Sequence, residues 1–90
     1  FVLEGTLGAK AAAQLAALDQ FARTRRSVRV NMARVARIEF GASGMLLDSL
    51  MQIAQRGCQL RLFDCNLLVG ALLGLLGADQ YAQVTLRRHR

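Results

Sequence analysis

The segment Gly41-Ala42-Ser43-Gly44 is the part of the sequence whose residue types and spacing best suit a chemical role. Apolar residues before it predict the end of a strand, and leucine-rich residues after it predict a helix, so we expect a turn between the two. The first N–H groups of a helix lack intrahelical partners and lie at the positive end of the helix dipole. The turn can therefore bind an anion, a phosphate or a carboxylate of a partner. An alternative of equal weight is structural, with the glycines bending the chain and Ser43 capping the helix.

Residues suited to acid-base or nucleophilic catalysis are scarce. The sequence holds six carboxylates and one histidine, His89, which lies in a basic terminus. No Ser-His-Asp or Cys-His set can be assembled from these residues. The Gly-Ala-Ser-Gly segment also lacks the spacing of a nucleophile elbow, a P-loop or a dinucleotide-binding fingerprint. We therefore expect a protein that is not an enzyme and that has no cofactor.

Cys58 and Cys65 lie on either side of a predicted strand. An extended run of that length spans roughly 20 Å, which exceeds the ~7 Å Cα separation that a disulfide allows. We expect two reduced core thiols, which suits a cytoplasmic protein. Together with His89 they are too few for a metal site.

The length of 90 residues and the 53% hydrophobic composition suit one domain, residues 1–90, with a small core. The chain begins at Phe1 rather than at a methionine and shows no signal-peptide pattern, so we expect a fragment of a longer protein. The longest apolar stretch, Leu67 to Ala78, is about a dozen residues, whereas a bilayer-spanning helix needs ~20. We expect no transmembrane segment.

The net charge of +6 is concentrated in clusters of arginines. The clusters are Arg23, Arg25 and Arg26; Arg34 and Arg37; and Arg87, Arg88 and Arg90. The five aromatic residues are spaced mostly as core residues rather than as a platform on which bases could stack. Nucleic-acid binding is therefore disfavoured relative to a solvated basic surface or a basic tail that pairs with an acidic neighbouring domain.

Hydrophobic periodicity predicts strands that alternate with helices. Leu15, Leu18 and Ala22 give the first helix a core-facing side, Gly57 is placed to end the second helix, and Asn66 is placed to cap the third. The predicted strands are 1–4, 27–32, 35–40, 58–64 and 83–86, with a loop at Arg34, and the predicted helices are 9–23, 43–56 and 67–76. Short connections between alternating elements imply right-handed crossovers and a mainly parallel sheet.

The predicted third helix, Leu67 to Leu76, contains no polar side chain. A surface helix of a small domain normally has a polar side. The residues expected to face the sheet are Leu68, Leu72 and Leu75, with Ala71 beside them, and those left outward are Val69, Leu73 and Leu76. The outward side must be covered, either by a segment of the parent protein or by a partner, which includes a second copy of the chain.

Several short patterns follow one another along the chain. They are Phe1-Val2-Leu3-Glu4-Gly5-Thr6-Leu7, Val28-Arg29-Val30-Asn31-Met32, Ile38-Glu39-Phe40 followed by Ala42 and Gly44-Met45-Leu46-Leu47, Gly57-Cys58-Gln59-Leu60-Arg61-Leu62, and Leu72-Leu73 followed by Leu75-Leu76-Gly77. In order and spacing they resemble the STAS domain of anti-sigma-factor antagonists. The resemblance implies an α/β fold with a small mixed, mainly parallel sheet of about four strands and three or more helices. It also implies a non-catalytic domain that binds a kinase-like anti-sigma factor or another regulatory partner.

The same resemblance implies a switch by phosphorylation of a serine in an Asp-Ser-Ser-Gly-like turn at the start of the second helix. Here Ala42 occupies the phosphoacceptor position, Gly41 the acidic position before it, and Asn31 the place of a strand-end aspartate. A methyl group cannot accept phosphate. We therefore expect the usual switch to be absent, with the Ser43 hydroxyl as the remaining candidate phosphoacceptor in this turn. Some family members serve instead as accessory domains of lipid-transport machinery or of anion transporters.

These inferences predict a regulatory, bacterial-type interaction domain with one main binding surface. Its expected partner-binding residues are Gly41, Ala42, Ser43, Gly44, Asp48, Ser49, Gln52, Arg34 and Arg37. The partner is expected to be a regulatory protein or an adjacent domain of the same chain. The alternatives are an accessory domain of a transport system, a homodimerisation domain built on Leu67 to Leu76 and, least favoured, a basic nucleic-acid binder.

Overall fold

The computed structural model describes residues 1–88, which alternate between strands and helices. The elements are β1 (Val2–Leu7), α1 (Ala11–Ala22), β2 (Ser27–Ile38), α2 (Phe40–Gln55), β3 (Gln59–Cys65), α3 (Leu67–Leu75), a 3-10 turn (Ala78–Gln80) and β4 (Ala82–Leu86). The sheet order is β1-β2-β3-β4, and each neighbouring pair is parallel. The predicted α/β fold with a mainly parallel sheet is confirmed. His89 and Arg90 of the predicted basic tail lie outside the described residues.

All three helices lie on one face of the sheet. The strands follow one another in a single direction, so right-handed crossovers return to the same side each time. Along β2 and β3, Val28, Val30, Leu60 and Leu62 are buried in the core that the helices share with the sheet. The residues between them point to the opposite face, because successive side chains of a strand alternate. The described part of the chain leaves that second face uncovered, which is unusual for a parallel sheet.

β2 is one strand of 12 residues, so the predicted loop at Arg34 and the predicted separate strand after it are wrong. Its first half pairs with β3 and its second half pairs with β1, so both halves find neighbours for their backbone groups. The pairing with β1 shifts register between Val2 and Glu4 and again between Gly5 and Thr6. These bulges absorb the residues that interrupt the period-two pattern of the sequence.

Helix α2 begins at Phe40, earlier than the predicted start at Ser43. The segment Gly41-Ala42-Ser43-Gly44 is therefore the first turn of α2 and does not precede it. The Glu39 N–H donates to the Leu7 carbonyl at 2.8 Å, which ties the entry of the helix to the end of β1. Since β2 runs on to Ile38, no residues remain for a separate turn.

Helix α3 is rotated about its axis by roughly a quarter turn relative to the prediction. Val69 and Leu73 are buried and Leu68, Ala71 and Leu75 are exposed, whereas Leu72 packs against the core as predicted. The reason is Asn66, which caps the helix as predicted by accepting a hydrogen bond from the Val69 N–H at 2.8 Å. The Asn66 side-chain amide also donates to the Val35 and Ala36 carbonyls of β2, so the cap faces the sheet. Val69 and Leu73, three and seven positions after Asn66, lie on the same side of the helix as the cap and are therefore buried.

The two cysteines are free and buried, as predicted. Burial raises the pKa of both thiols, and for Cys65 burial together with the nearby Asp64 carboxylate raises the pKa to about 11. Because the thiolate is the reactive form, both groups are poor nucleophiles at neutral pH.

The aromatic residues are peripheral, so the prediction that most of them are core residues is wrong. Phe40 and Phe21 are exposed, and Phe1, Phe63 and Tyr81 are half-buried. Phe1 and Tyr81 pack against the edge of the core, which is filled mostly by leucine, valine, isoleucine and alanine side chains together with Met32 and the two cysteines.

Asp19 of α1 forms two ion pairs, one with Arg23 at the end of its own helix and one with Arg56 at the end of α2, and the second joins the two helices. Its carboxylate oxygens lie 2.8 Å from Arg56 and 3.0 Å from Arg23. The hydrogen bond from Arg56 is the main cause that lowers the pKa of Asp19 below its ordinary value, with the charges of Arg56 and Arg23 adding to it against the effect of burial. A carboxylate with a lowered pKa stabilises the folded state above its unfolded pKa, and this contribution is lost as the pH falls through the folded pKa.

We therefore expect Asp19→Asn to lower the free energy of unfolding by about 1 kcal/mol at pH 7. The difference between the two proteins should shrink as the pH falls below the ordinary value of 3.8 and vanish once Asp19 is protonated in the native wild type. Urea unfolding at pH 7, 4 and about 2 measures this difference. A difference that stays constant over that range would show that Asp19 acts through packing rather than through its charge.

Candidate functional site

The exposed side of α2 forms a continuous surface that begins at the first residue of the helix. Its members are Phe40, Gly41, Gly44, Asp48 and Gln52, which we call the α2 stripe, and all of them are exposed. Residues four positions apart lie one above the other on a helix, so Phe40, Gly44, Asp48 and Gln52 form a row. The structure thus brings together four of the predicted binding residues. Ser49 lies beside the row and is half-buried.

Ala42 and Ser43 belong to the buried side of the same helix. Ala42 is 3% exposed and Ser43 is 7% exposed. The Ser43 hydroxyl donates to the Phe40 carbonyl at 2.6 Å, so it satisfies a group within its own helix. Ser43 is not the N-cap, because Glu39 occupies that position without a capping bond from its side chain. These two predicted binding residues therefore support the start of α2 from beneath rather than presenting side chains to a partner.

Phe40 is the residue at this site that the sequence prediction missed. It is 85% exposed, although phenylalanine side chains are usually buried. Gly41 and Gly44 have no side chains, so neither of them covers the Phe40 ring. The residues around Phe40 fit the start of a helix and the end of a strand equally well. Because the predicted strand continued to residue 40, Phe40 was not predicted to be an exposed residue of the helix start.

The backbone around the helix start is closely packed on the side of β1. A Cβ atom on Gly8 would lie 2.5 Å from the Glu39 carboxylate, so Glu39 folds back over the Gly8 backbone. The Ala42 N–H donates to the Glu39 carbonyl at 2.9 Å. The Phe40 and Gly41 amides remain as groups that a helix start offers to a partner.

Arg34 and Arg37 lie in the second half of β2 and are exposed. They align with Glu4 and Thr6 of β1, and Arg34 forms an ion pair with Glu4 at 3.7 Å. Within residues 1–88 no hydrogen bond or ion pair links either arginine to the α2 stripe. The structure therefore does not join these two predicted residues to the rest of the site through direct contacts.

A second exposed surface lies on α3 and the neighbouring edge strand. Leu67, Leu68 and Leu75 of α3 and Leu86 of β4 are all at least half exposed. Leu67 and Leu86 also line a groove of about 330 Å³, whose other lining residues include Gly70 and Gly74. We call Leu67, Leu68, Leu75 and Leu86 the α3 patch.

Over the described range, no cluster of His, Cys, Asp and Glu side chains has the size and spacing to hold a metal ion. Within the same range, none of the helices combines the length and the apolar character required to cross a membrane.

The parallel four-stranded sheet, the three helices on one face and the exposed start of α2 are the architecture of a STAS-type α/β domain. A model of the family described as "Mlab, STAS domain" matches residues 2–87. The chain therefore belongs to the STAS family, as its sequence patterns predicted. No curated protein and no solved structure matched the chain. Family membership supports a general regulatory or interaction role.

Proposed function

We propose that this chain is a non-catalytic docking domain that binds a regulatory protein through the α2 stripe. The observation that carries the proposal is the 85% exposure of Phe40 at the helix start. Aromatic residues are enriched among the side chains that dominate binding energy at interfaces, because one rigid ring buries a large area. Exposing that ring to water is unfavourable for the isolated domain, and a partner would remove the cost.

The composition of the α2 stripe suits a protein partner. Gly41 and Gly44 carry no side chain, so a partner can approach the backbone closely beside Phe40. Asp48 and Gln52 add a charge and hydrogen-bonding groups further along the helix, like the polar rim of a typical interface. The surface thus combines an apolar anchor with a polar border.

The finer role that we propose is that of an anti-sigma-factor antagonist-like domain without the phosphorylation switch at the usual serine position. Its partner would be a kinase-like anti-sigma factor or an adjacent domain of a longer parent protein, and the two free thiols suit a cytoplasmic location. The alternative is an accessory domain of a transporter or of a lipid-transport system. Both roles use the same docking surface.

The proposal predicts that Phe40→Ala weakens partner binding by at least about 30-fold, as expected for a residue that contributes about 2 kcal/mol or more. The folded state should keep its stability, because the ring is mostly in water. Isothermal titration against the partner, isolated by co-purification with this chain, measures the affinity. Gly44→Asp and Asp48→Arg should also weaken binding, and a Cβ at Gly44 meets only open space, so its substitution leaves the fold intact.

The matched control for this experiment is Leu75→Ala on α3. Leu75 is as exposed as Phe40, so both changes remove a large apolar side chain from the surface. If Leu75→Ala weakens binding and Phe40→Ala does not, the α2 stripe is not the docking surface.

The α3 patch supports a second candidate function, which is homodimerisation through Leu67 to Leu76. Its exposed leucines form an apolar area on one helix and the adjacent strand, and apolar patches of this kind mark association surfaces. We expect a dimer built on this patch to dissociate on dilution and to be abolished by Leu75→Glu. Sedimentation velocity over a range of concentrations tests this, and a wild type that stays monomeric throughout would exclude it.

A further inference from the structure

The uncovered face of the sheet carries a row of side chains that the docking proposal does not use. Arg29 of β2 aligns with Arg61 of β3, and Arg61 aligns with Gln83 of β4. Phe63 and Thr85 follow two positions after Arg61 and Gln83, so all five share this face. They line one depression of about 160 Å³. We call these five residues the open sheet face.

The two arginines form an unfavourable pair in the isolated domain. Directly opposed like charges on neighbouring strands destabilise a sheet. Within residues 1–88 neither guanidinium forms an ion pair, although Asp79 borders a larger groove that it shares with Arg61. The Arg29 guanidinium instead lies over the Phe63 ring, 4.8 Å from its centroid. The ring holds Arg29 in place without neutralising its charge.

We propose that the open sheet face binds an acidic segment of a partner protein through Arg29 and Arg61. A carboxylate placed between the two guanidinium groups would accept hydrogen bonds from both and cancel their repulsion. Arginine forks suit carboxylates because each can donate two parallel hydrogen bonds. Gln83 and Thr85 supply further hydrogen-bonding groups at the border of the depression.

The distribution of aromatic residues favours an acidic protein segment over a nucleic-acid strand. A single-stranded nucleic acid is held by several aromatic rings on which successive bases stack. Phe63 is the one aromatic residue that lines this depression, and Arg29 already lies over its ring. Phe1 and Phe21 contact each other elsewhere, with ring centroids 5.4 Å apart.

The test uses the whole chain and a fluorescein-labelled oligoglutamate peptide as the acidic probe, with binding followed by fluorescence anisotropy at low salt. We expect the double change Arg29→Gln and Arg61→Gln to weaken binding at least about tenfold. The control is Arg34→Gln with Arg37→Gln, which removes the same charge from the second half of β2 and should weaken binding less than about threefold. Phe40→Ala should leave probe binding unchanged, which separates this surface from the α2 stripe.

Three results would overturn the proposal. One is an equal loss of affinity in both double variants, which would mean that the probe responds to overall charge. Another is tighter binding of a single-stranded oligothymidylate with the same number of charges, which would identify the face as a nucleic-acid site. The third is an affinity of the Arg29→Gln, Arg61→Gln protein for the probe equal to that of the wild type, which would mean that the two arginines do not form the binding site.

Discussion

Replacement of Leu73 by glutamate is expected to abolish folding, whereas replacement of Leu75 by glutamate on the same helix should leave the fold intact. Leu73 is fully buried in the core, and Leu75 is 86% exposed. Loss of a buried leucine side chain costs about 2–5 kcal/mol, and a buried carboxylate without a cation costs several kcal/mol more. A domain of this length has a total stability of only about 5–13 kcal/mol.

Circular dichroism and urea unfolding of the two variants measure this difference. Leu73→Glu should lack a cooperative transition, and Leu75→Glu should keep the wild-type stability to within about 0.5 kcal/mol. The opposite result, with Leu73→Glu folded and Leu75→Glu unfolded, would show that α3 has the orientation that the sequence alone predicted. A test of dimerisation through α3 therefore needs Leu75→Glu, because Leu73→Glu would unfold the domain and remove any interface with it.

The error in the orientation of α3 has a specific physical cause. A helix with leucines on every side has no polar side to mark the one that faces solvent, so periodicity carries no information there. The buried side was encoded instead by Asn66, whose side chain caps the helix and also donates to Val35 and Ala36. The sequence predicted the cap, but its second set of bonds joins residues about 30 positions apart. Such long-range contacts are not visible in local patterns.

Local signals were sufficient where one side of an element is clearly apolar. Leu15, Leu18 and Ala22 of α1 are buried as predicted, and Gly57 follows the end of α2 with a φ of 85°, as a glycine at a helix C-terminus should. The alternation of strands and helices was enough to predict the parallel sheet. The full length of β2 was not predicted, because its second half is a strand only through its pairing with β1.

The sequence predicted only in part which residues at the start of α2 are exposed. Because α2 starts at Phe40 rather than at Ser43, the residues from 40 to 43 form its first turn, and the helix decides which of them are exposed. Gly41 and Gly44 remain on the surface, whereas Ala42 and Ser43 turn toward the core and Phe40 turns outward. The earlier start adds residues at the N-terminus and does not change the spacing of the later residues, so Asp48 and Gln52 stay exposed.

The burial of Ser43 leads to the second large prediction, which concerns phosphorylation. Ser43→Asp is expected to lower the free energy of unfolding by about 2–4 kcal/mol, because it places a carboxylate in a site that is 7% exposed. The position near the helix start offsets this loss by only about 0.3–1 kcal/mol. A phosphate is larger and carries more charge than a carboxylate, so phosphorylated Ser43 should be still less compatible with the folded first turn.

Ser43→Ala is the matched control, and urea unfolding of both variants provides the measurement. The alanine variant loses the hydrogen bond to the Phe40 carbonyl but gains helix propensity, so its stability should stay within about 1 kcal/mol of the wild type. If the aspartate variant is as stable as the alanine variant, the first turn of α2 can accommodate a negative charge and Ser43 regains its place as a candidate phosphoacceptor. If it is destabilised as expected, a kinase could modify Ser43 only when this turn opens, and the α2 stripe would bind its partner without a phosphorylation switch at this residue.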